Sequence, residues 1–387
     1  MSETADAPLV LRSDSGSDSV IVTQTAAPDP RAERYALALA LYERNDPEAG
    51  TLFELVLADD PENVSARYKL ANVRKDSGAL EAAMAGYSEV LRLDSNHAEA
   101  MTNLGAVLQV RGDIAGAETF YRRAIETNPA LAAPAANLGR LLQTLGRIEE
   151  AARVFSSALA RGLDAGLFGH LLDAASGHSS ARAPVSYVRE TFDAFAPVFE
   201  QRLVGELQYE VPSRLAALVL GDHGRGQGPR LDILDLGCGT GLAGIALEEA
   251  AGSLVGVDLS PKMLDEARRK GCYTDLHEAD ILEWLVTAPH DRFDLVIAAD
   301  VFIYVGELER VFHEVARVLR LTGKFAFSVE TCVEAPWRLL PTGRYAQSDG
   351  YVLEVASRNR LRIGAREPVE IRGGVPGMLY LAENSCI

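Results

Sequence analysis

Apolar positions in the first half of the chain recur every 34 residues. Leu70, Leu104 and Leu138 share one offset, Ala83, Ala117 and Ala151 a second, and Tyr87, Tyr121 and Phe155 a third. Gly78, Gly112 and Gly146 keep the same spacing, and Gly105 and Gly139 directly follow two of the leucines. Small residues at fixed offsets let two helices approach closely, the aromatic fills the gap beside them, and a glycine supplies the turn. The pattern predicts stacked helical hairpins over 29–164, about four copies. In the first, Ala49, Phe53 and Pro61 hold the register without a turn glycine; Pro129 closes a later copy, and Pro134 sits near the start of the last. From Ala165 the pattern breaks, and 165–184, with its "GHSSARAP", is expected to be a polar linker.

A different pattern follows. Short apolar runs bounded by turns read as buried strands: "LDILDL", "SLVGVDL", "FDLVIAA" and "KFAFSVE". Between them lie the helical patterns "GLAGIALEEA", "PKMLDEARRK" and "ELERVFHEVARVLR". Such alternation predicts a parallel sheet with helices on both faces over 185–387. Two last runs, "LRIGAREPVEIRG" and "VPGMLYLAE", read as an antiparallel hairpin at the sheet edge.

Composition narrows the chemistry. A formal net charge of -17 without a long basic run disfavours nucleic acid and acidic lipid surfaces as partners. The four cysteines (Cys238, Cys272, Cys332 and Cys386) form no C-x-x-C pair, which argues against a zinc site or disulfide framework and fits a reducing cytoplasm. No metal is expected, and no apolar run is long enough to span a bilayer. Residues 1–28, rich in Ser, Asp, Thr and Ala, are expected to be a disordered tail.

The stretch "LDLGCGTGLAG" carries two glycine fingerprints. Gly237, Gly239 and Gly241 form G-x-G-x-G, while Gly239, Gly241 and Gly244 satisfy G-x-G-x-x-G, the pattern of a dinucleotide loop. The loop follows a strand and opens a helix, the context that both need. Asp235 separates them: a carboxylate beside the ligand repels a pyrophosphate and attracts the ammonium of an amino acid. Asp258, ending the next strand, suits ribose hydroxyls in either case. In "HEADI", Asp280 can accept from an adenine amine, and the Ile281 N–H can donate to a ring nitrogen. Together these residues read as a site for a sulfonium nucleoside.

The ordered combination resembles the class I S-adenosylmethionine-dependent methyltransferases, and the 34-residue copies resemble tetratricopeptide repeats. "LDLGCGTG" matches the first methyltransferase motif, Asp258 the second, "EADI" the third, and "FDLVIAADVFIYV" stands where the fourth lies. The resemblance implies a Rossmann-like, seven-stranded, mostly parallel α/β sheet with an antiparallel last strand, preceded by an all-α solenoid. It implies S-adenosyl-L-methionine as cofactor, held through Asp235, Gly237, Cys238, Gly239 and Gly241 at the methionine end. Asp258 and Leu259 would take the ribose, and Asp280, Ile281 and Met263 the adenine, with Ala299 and Phe192 as further cofactor contacts. One departure is "LRLTGK", where the family often has proline before glycine.

In "YVRETFDAFAPVFEQRL", Phe192, Phe195, Phe199 and Leu203 share one helical face. This face either packs on the sheet or closes as a lid, since Phe192, Asp193, Ala196 and Phe199 fit the spacing of lid segments in related methyltransferases; Tyr187 is a candidate cofactor contact. Candidate bases for the acceptor's proton are Asp300 and Tyr304, past the fourth strand, and His178, ahead of the lid. His313 lies off the apolar face of its helix and is set aside. Between Arg338 and Arg372 stand seven arginines against four acids, which either bind an anionic group on the acceptor or are solvated.

The reading is methyl transfer to an oxygen or nitrogen of a small or carrier-linked acceptor. The array recruits a partner or substrate through its groove, or mediates oligomerisation such as a homodimer. The competing readings are a methyltransferase acting on a repeat-bound protein and a non-catalytic scaffold that binds the cofactor.

Overall fold

The computed structural model describes residues 29–44, 46–196, 199–200, 205, 209–221 and 230–385. The expected tail 1–28, Leu203 and Cys386 lie outside them. Contacts divide the chain into two units, Met1–Ser95 and Asn96–Ile387.

The first unit holds two hairpins, α1 (Pro30–Glu43) with α2 (Glu48–Asp59) and α3 (Val64–Asp76) with α4 (Leu80–Leu93). Gly78 turns α3 into α4 at φ 80°, a left-handed conformation open to glycine at little cost. A Cβ on Gly86 would stand 2.8 Å from that of Ala71, so the two helices touch at their small residues. The buried Tyr87 hydroxyl donates to Asn72 Oδ1 at 2.6 Å.

The second unit opens with two more hairpins, α5 (Ala98–Val110) with α6 (Ile114–Thr127) and α7 (Ala132–Thr144) with α8 (Ile148–Ala160). The periodic residues have the expected contacts. A Cβ on Gly105 would come within 2.8 Å of the Tyr121 ring, and one on Gly139 within 2.0 Å of the Phe155 ring.

The array does not stop at the expected linker. Ala165–Ser176 forms a helix, α9, capped by Asp164, whose Oδ1 accepts from Leu167 N at 2.7 Å, and ended by Gly177 at φ 72°. It starts about one repeat after α7 and packs on α8, with Phe168 6.3 Å from Phe155. A solenoid exposes an apolar face at its last hairpin, and a single further helix covers it. Here the other side of that helix is buried too. Phe168, Leu171, Tyr187, Leu339 and Tyr345 share one core with α6–α8.

After α10 (Val185–Phe195) and α11 (Val211–Leu220), strands and helices alternate: β1 (Leu231–Leu236), α12 (Leu242–Leu247), β2 (Ala251–Asp258), α13 (Pro261–Lys270), β3 (Asp275–Glu278), α14 (Ile281–Thr287), β4 (Phe293–Ala298), α15 (Glu309–Val318) and β5 (Leu319–Glu330). A small two-stranded sheet, β6 (Trp337–Leu339) with β7 (Tyr345–Gln347), precedes α16 (Asp349–Arg358) and the hairpin β8 (Leu361–Arg372) and β9 (Val375–Asn384).

The seven-stranded order is β3-β2-β1-β4-β5-β9-β8. Strands β1 to β5 are parallel, and β9 is antiparallel to both β5 and β8, so the hairpin closes the edge. The fold is Rossmann-like. Order reverses between β1 and β4, and that switch opens a crevice beyond the strands' carboxyl ends. In "LRLTGK" the turn is made by Thr322 at φ 66° inside β5, which starts at Leu319, ahead of the expected Lys324. Phe302, Phe312, Phe325 and Phe327 fill one face of the sheet, with ring centroids 4.5–6.2 Å apart. Among the described residues no helix is long and apolar enough to cross a membrane.

Candidate functional site

The β1–α12 loop is shaped by backbone conformation. Gly237, Gly239 and Gly241 all take positive φ, 64°, 52° and 90°. Gly237 N and Cys238 N donate to Val257 O at 2.8 and 3.1 Å, which ties the loop to β2. A Cβ on Gly239 would meet nothing within 4 Å, so this glycine faces open space.

Tyr273 sits beneath the loop, and no spacing in the sequence pointed to it. Cβ atoms on Gly241, Gly244 and Gly256 would each come within 3 Å of its ring or hydroxyl. Gly244, which completed the dinucleotide-like fingerprint, is therefore required by a tyrosine packed against it. The Tyr273 hydroxyl donates to Asp235 Oδ2 at 2.6 Å.

Asp258 organises the next turn. Its Oδ2 accepts from Gly239 N at 2.9 Å and its Oδ1 from Ser260 N at 2.8 Å. Ser260 Oγ caps α13 through Met263 N at 3.1 Å and donates to Asp193 on α10. Arg189 Nε also reaches Leu259 O, at 3.1 Å. The α10 helix thus lies over the end of β2. Asp280 caps α14, its Oδ1 accepting from Leu282 N and Glu283 N at 3.1 and 3.2 Å. Its side chain is held by Arg182, with Nη2 to Oδ2 at 2.6 Å and Nη1 to Oδ1 at 3.3 Å.

A cavity of about 420 Å³ gathers these elements. Gly237, Gly239, Asp258, Leu259, Asp280 and Ile281 line it, as do Ala299, Asp300, Tyr304, Tyr209, Arg344 and Arg372. Phe192, Phe195 and Phe199 line it from the aromatic segment. The volume falls within the range of small-molecule sites.

The remaining candidates stand elsewhere. Asp235 is 1% exposed behind the loop, with Tyr273 as its partner rather than the cavity. Cys238 and Met263 are buried behind the wall, and a Cβ on Gly256 would stand 2.9 Å from the Cys238 sulfur. Tyr187 belongs to the core shared with the array, its ring 4.6 Å from that of His170. His178 is exposed outside the walls.

The charges beside Asp300 form a buried group. Asp300, in the left-handed region at φ 61°, donates its backbone N–H to Ser328 Oγ at 2.8 Å. Its Oδ2 and Glu330 Oε1 are both bound by the Arg372 guanidinium, while Asp300 Oδ1 has no partner. Burial pushes the carboxyls of Asp300 and Glu330 up, against the opposing pull of Arg372 and Arg344. Burial also lifts the Tyr304 phenol to about 12, so near neutral pH it stays protonated and does not serve as a base. Among the described residues no group of acids, histidines and cysteines could hold a metal ion.

Burial raises the Asp235 carboxyl to about 7. The folded chain therefore keeps a proton that the unfolded chain releases from about pH 4 upward. This group contributes most below that range, and its contribution falls as the pH rises through 7. Urea unfolding without ligand is expected to lose about 3 kcal/mol from this residue between pH 5 and 8. Asp235→Asn should flatten the decline in part, since Asp258, Asp300 and Glu330 shift the same way. Equal slopes for the two proteins would contradict this.

The strand order, the glycine loop and the carboxylates at the β2 and β3 ends resemble those of class I methyltransferase domains. The methyltransferase-domain family matches residues 233–323, and tetratricopeptide-repeat families match 35–97 and 97–128. The chain thus combines a stretch similar to the methyltransferase-domain family with stretches similar to tetratricopeptide repeats. It is 28% identical over 130 residues to a malonyl-[acyl-carrier protein] O-methyltransferase of Paenibacillus sp. (strain JDR-2), covering 32% of this chain and 47% of that one. It is 30% identical over 137 residues to a probable S-adenosylmethionine-dependent methyltransferase of Saccharomyces cerevisiae, covering 33% and 45%. A ubiquinone biosynthesis O-methyltransferase of Coxiella burnetii is 28% identical over 99 residues, covering 25% and 42%. The chain thus spans about half the length of these curated relatives. Among solved structures, a magnesium protoporphyrin IX methyltransferase from Synechocystis PCC 6803 is similar with TM-score 0.42 and 17% identity, over 52% of this chain and 99% of that one.

Proposed function

We propose that the chain transfers a methyl group from S-adenosyl-L-methionine to an oxygen or nitrogen of a small or carrier-linked acceptor. The observation that carries this reading is the meeting of two unlike sets of residues in one cavity. Gly239, Asp258, Asp280 and Ile281 line it together with Asp300, Arg372 and Arg344. Two relatives named as O-methyltransferases support oxygen as the acceptor atom.

The open space at Gly239 fits a ligand backbone in close approach, and Asp258 fits a ribose diol. Ile281 N–H, in the first turn of α14, is one of the donors that a helix leaves unpaired and fits an adenine nitrogen. Asp235, behind the loop, holds Tyr273 beneath the glycines. When bound, the cofactor provides a methyl group already activated by a sulfonium. The protein's share is alignment and the exclusion of water. Phe192, Phe195 and Phe199 close over the acceptor end. Asp300 Oδ1, which has no partner, would accept the hydrogen bond of the acceptor's O–H or N–H and hold its proton. The repeat array, 29–164, recruits the acceptor's carrier or a partner.

Calorimetry on the full chain tests the cofactor. S-adenosylhomocysteine is expected to bind with a micromolar Kd, about -8 kcal/mol, while NAD gives no heat. Turnover to S-adenosylhomocysteine with a panel of hydroxyl, carboxyl and amine acceptors then tests the transfer. Retained NAD with indifference to S-adenosylhomocysteine would overturn the cofactor; binding without turnover on any acceptor would leave a scaffold.

A further inference from the structure

The segment from α9 to α10 is pinned on both sides of Arg182. Gly306 N and Glu307 N donate to Ala181 O at 2.9 and 3.0 Å, and Ala183 N donates to Tyr304 O at 2.9 Å. Further back, Ser180 Oγ and the Tyr345 hydroxyl share a hydrogen bond of 2.9 Å, and Leu339 N donates to Ser179 Oγ at 3.1 Å. In α9 itself, His170 Nε2–H donates to Gly343 O at 2.9 Å. The strap is thus held at fixed height along the cavity, and one side chain on it reaches the carboxylate at the β3 end.

That contact is two-pronged. A guanidinium whose two terminal nitrogens meet both oxygens of a carboxylate fixes its plane as well as its charge. Asp280 Oδ1 is already filled by Leu282 N, Glu283 N and Arg182 Nη1. Oδ2 receives Arg182 Nη2 alone, which leaves this oxygen with room for one more donor. Both residues line the cavity.

We propose that Arg182 is a positioning residue for nucleobase selection: it orients Asp280 so that Oδ2 accepts the 6-amino group of adenine. This rests on the cofactor reading above and adds to it a residue from outside the sheet, delivered by the end of the helical array. A base with oxygen at position 6 would bring an acceptor against Oδ2 and be rejected.

The test compares S-adenosylhomocysteine with S-inosylhomocysteine on the full chain by calorimetry. Wild type is expected to favour the adenine ligand by tenfold or more. Arg182→Gln should weaken the adenine ligand about tenfold. The inosine ligand should move less than about twofold, so the ratio collapses. A merely structural role would weaken both ligands together, so an unchanged ratio overturns the proposal. Should Arg182→Gln fail to fold, Arg182→Lys carries the same readout, because it keeps the charge and loses the fork: a reduced ratio supports the proposal and a wild-type ratio overturns it. Wild type that binds neither ligand removes the cofactor reading, and this one with it.

Discussion

Asp258→Ala is expected to raise the Kd for S-adenosylhomocysteine at least about a hundredfold. Two losses combine. The carboxylate lines the cavity where a ribose would lie, and hydrogen bonds to a charged group contribute about 1.5–3 kcal/mol each. It also accepts from Gly239 N and Ser260 N, so alanine frees the loop that must be ordered to bind. Asp258→Asn keeps one of those acceptors and should fall between. Calorimetry with both variants checks this, with circular dichroism to verify the fold. An affinity within about threefold of wild type for the alanine variant would place the ligand elsewhere.

Arg372→Met is expected to cost about 3–5 kcal/mol of stability at pH 7.5. The side chains of Arg372, Asp300 and Glu330 are 8%, 12% and 4% exposed, so water reaches the carboxylates too little to replace the guanidinium. Removing the cation strands two buried charges, which take up protons instead. The deficit should therefore shrink on acidification toward pH 5, where protonation costs less, and also in Arg372→Met combined with Glu330→Gln. Urea unfolding at both pH values measures it. A deficit below about 1 kcal/mol, or one independent of pH, would contradict the account.

What the sequence made legible was local. Gly78, Gly112 and Gly146 mark turns because left-handed φ has a strong residue preference, and the facing partners Gly139 and Phe155 repeat at a fixed offset. The strands announced themselves as apolar runs, and a loop between β1 and α12 follows from "GCGTG". What stayed hidden were pairings between distant segments with no period to betray them. Tyr273 meets Asp235 across 38 residues, Arg372 meets Asp300 across 72, Arg182 meets Asp280 across 98, and His170 meets Gly343 across 173. Asp235 illustrates the cost. Its place before the glycines was readable, but the direction of its side chain, toward a tyrosine under the loop, depended on β3's approach. The α9 helix was hidden differently: its glycines and polar flank resemble a connector, and only its burial on both sides makes it a helix worth forming.

That doubly covered helix bears on how such a chain can be inherited. A gene fusion joined between Thr144 and Pro184 would have to carry compatible partners for Phe168, His170 and Tyr187 on both flanks at once. Within Asn96–Ile387, natural variants and laboratory chimaeras should therefore keep the last two hairpins together with their sheet.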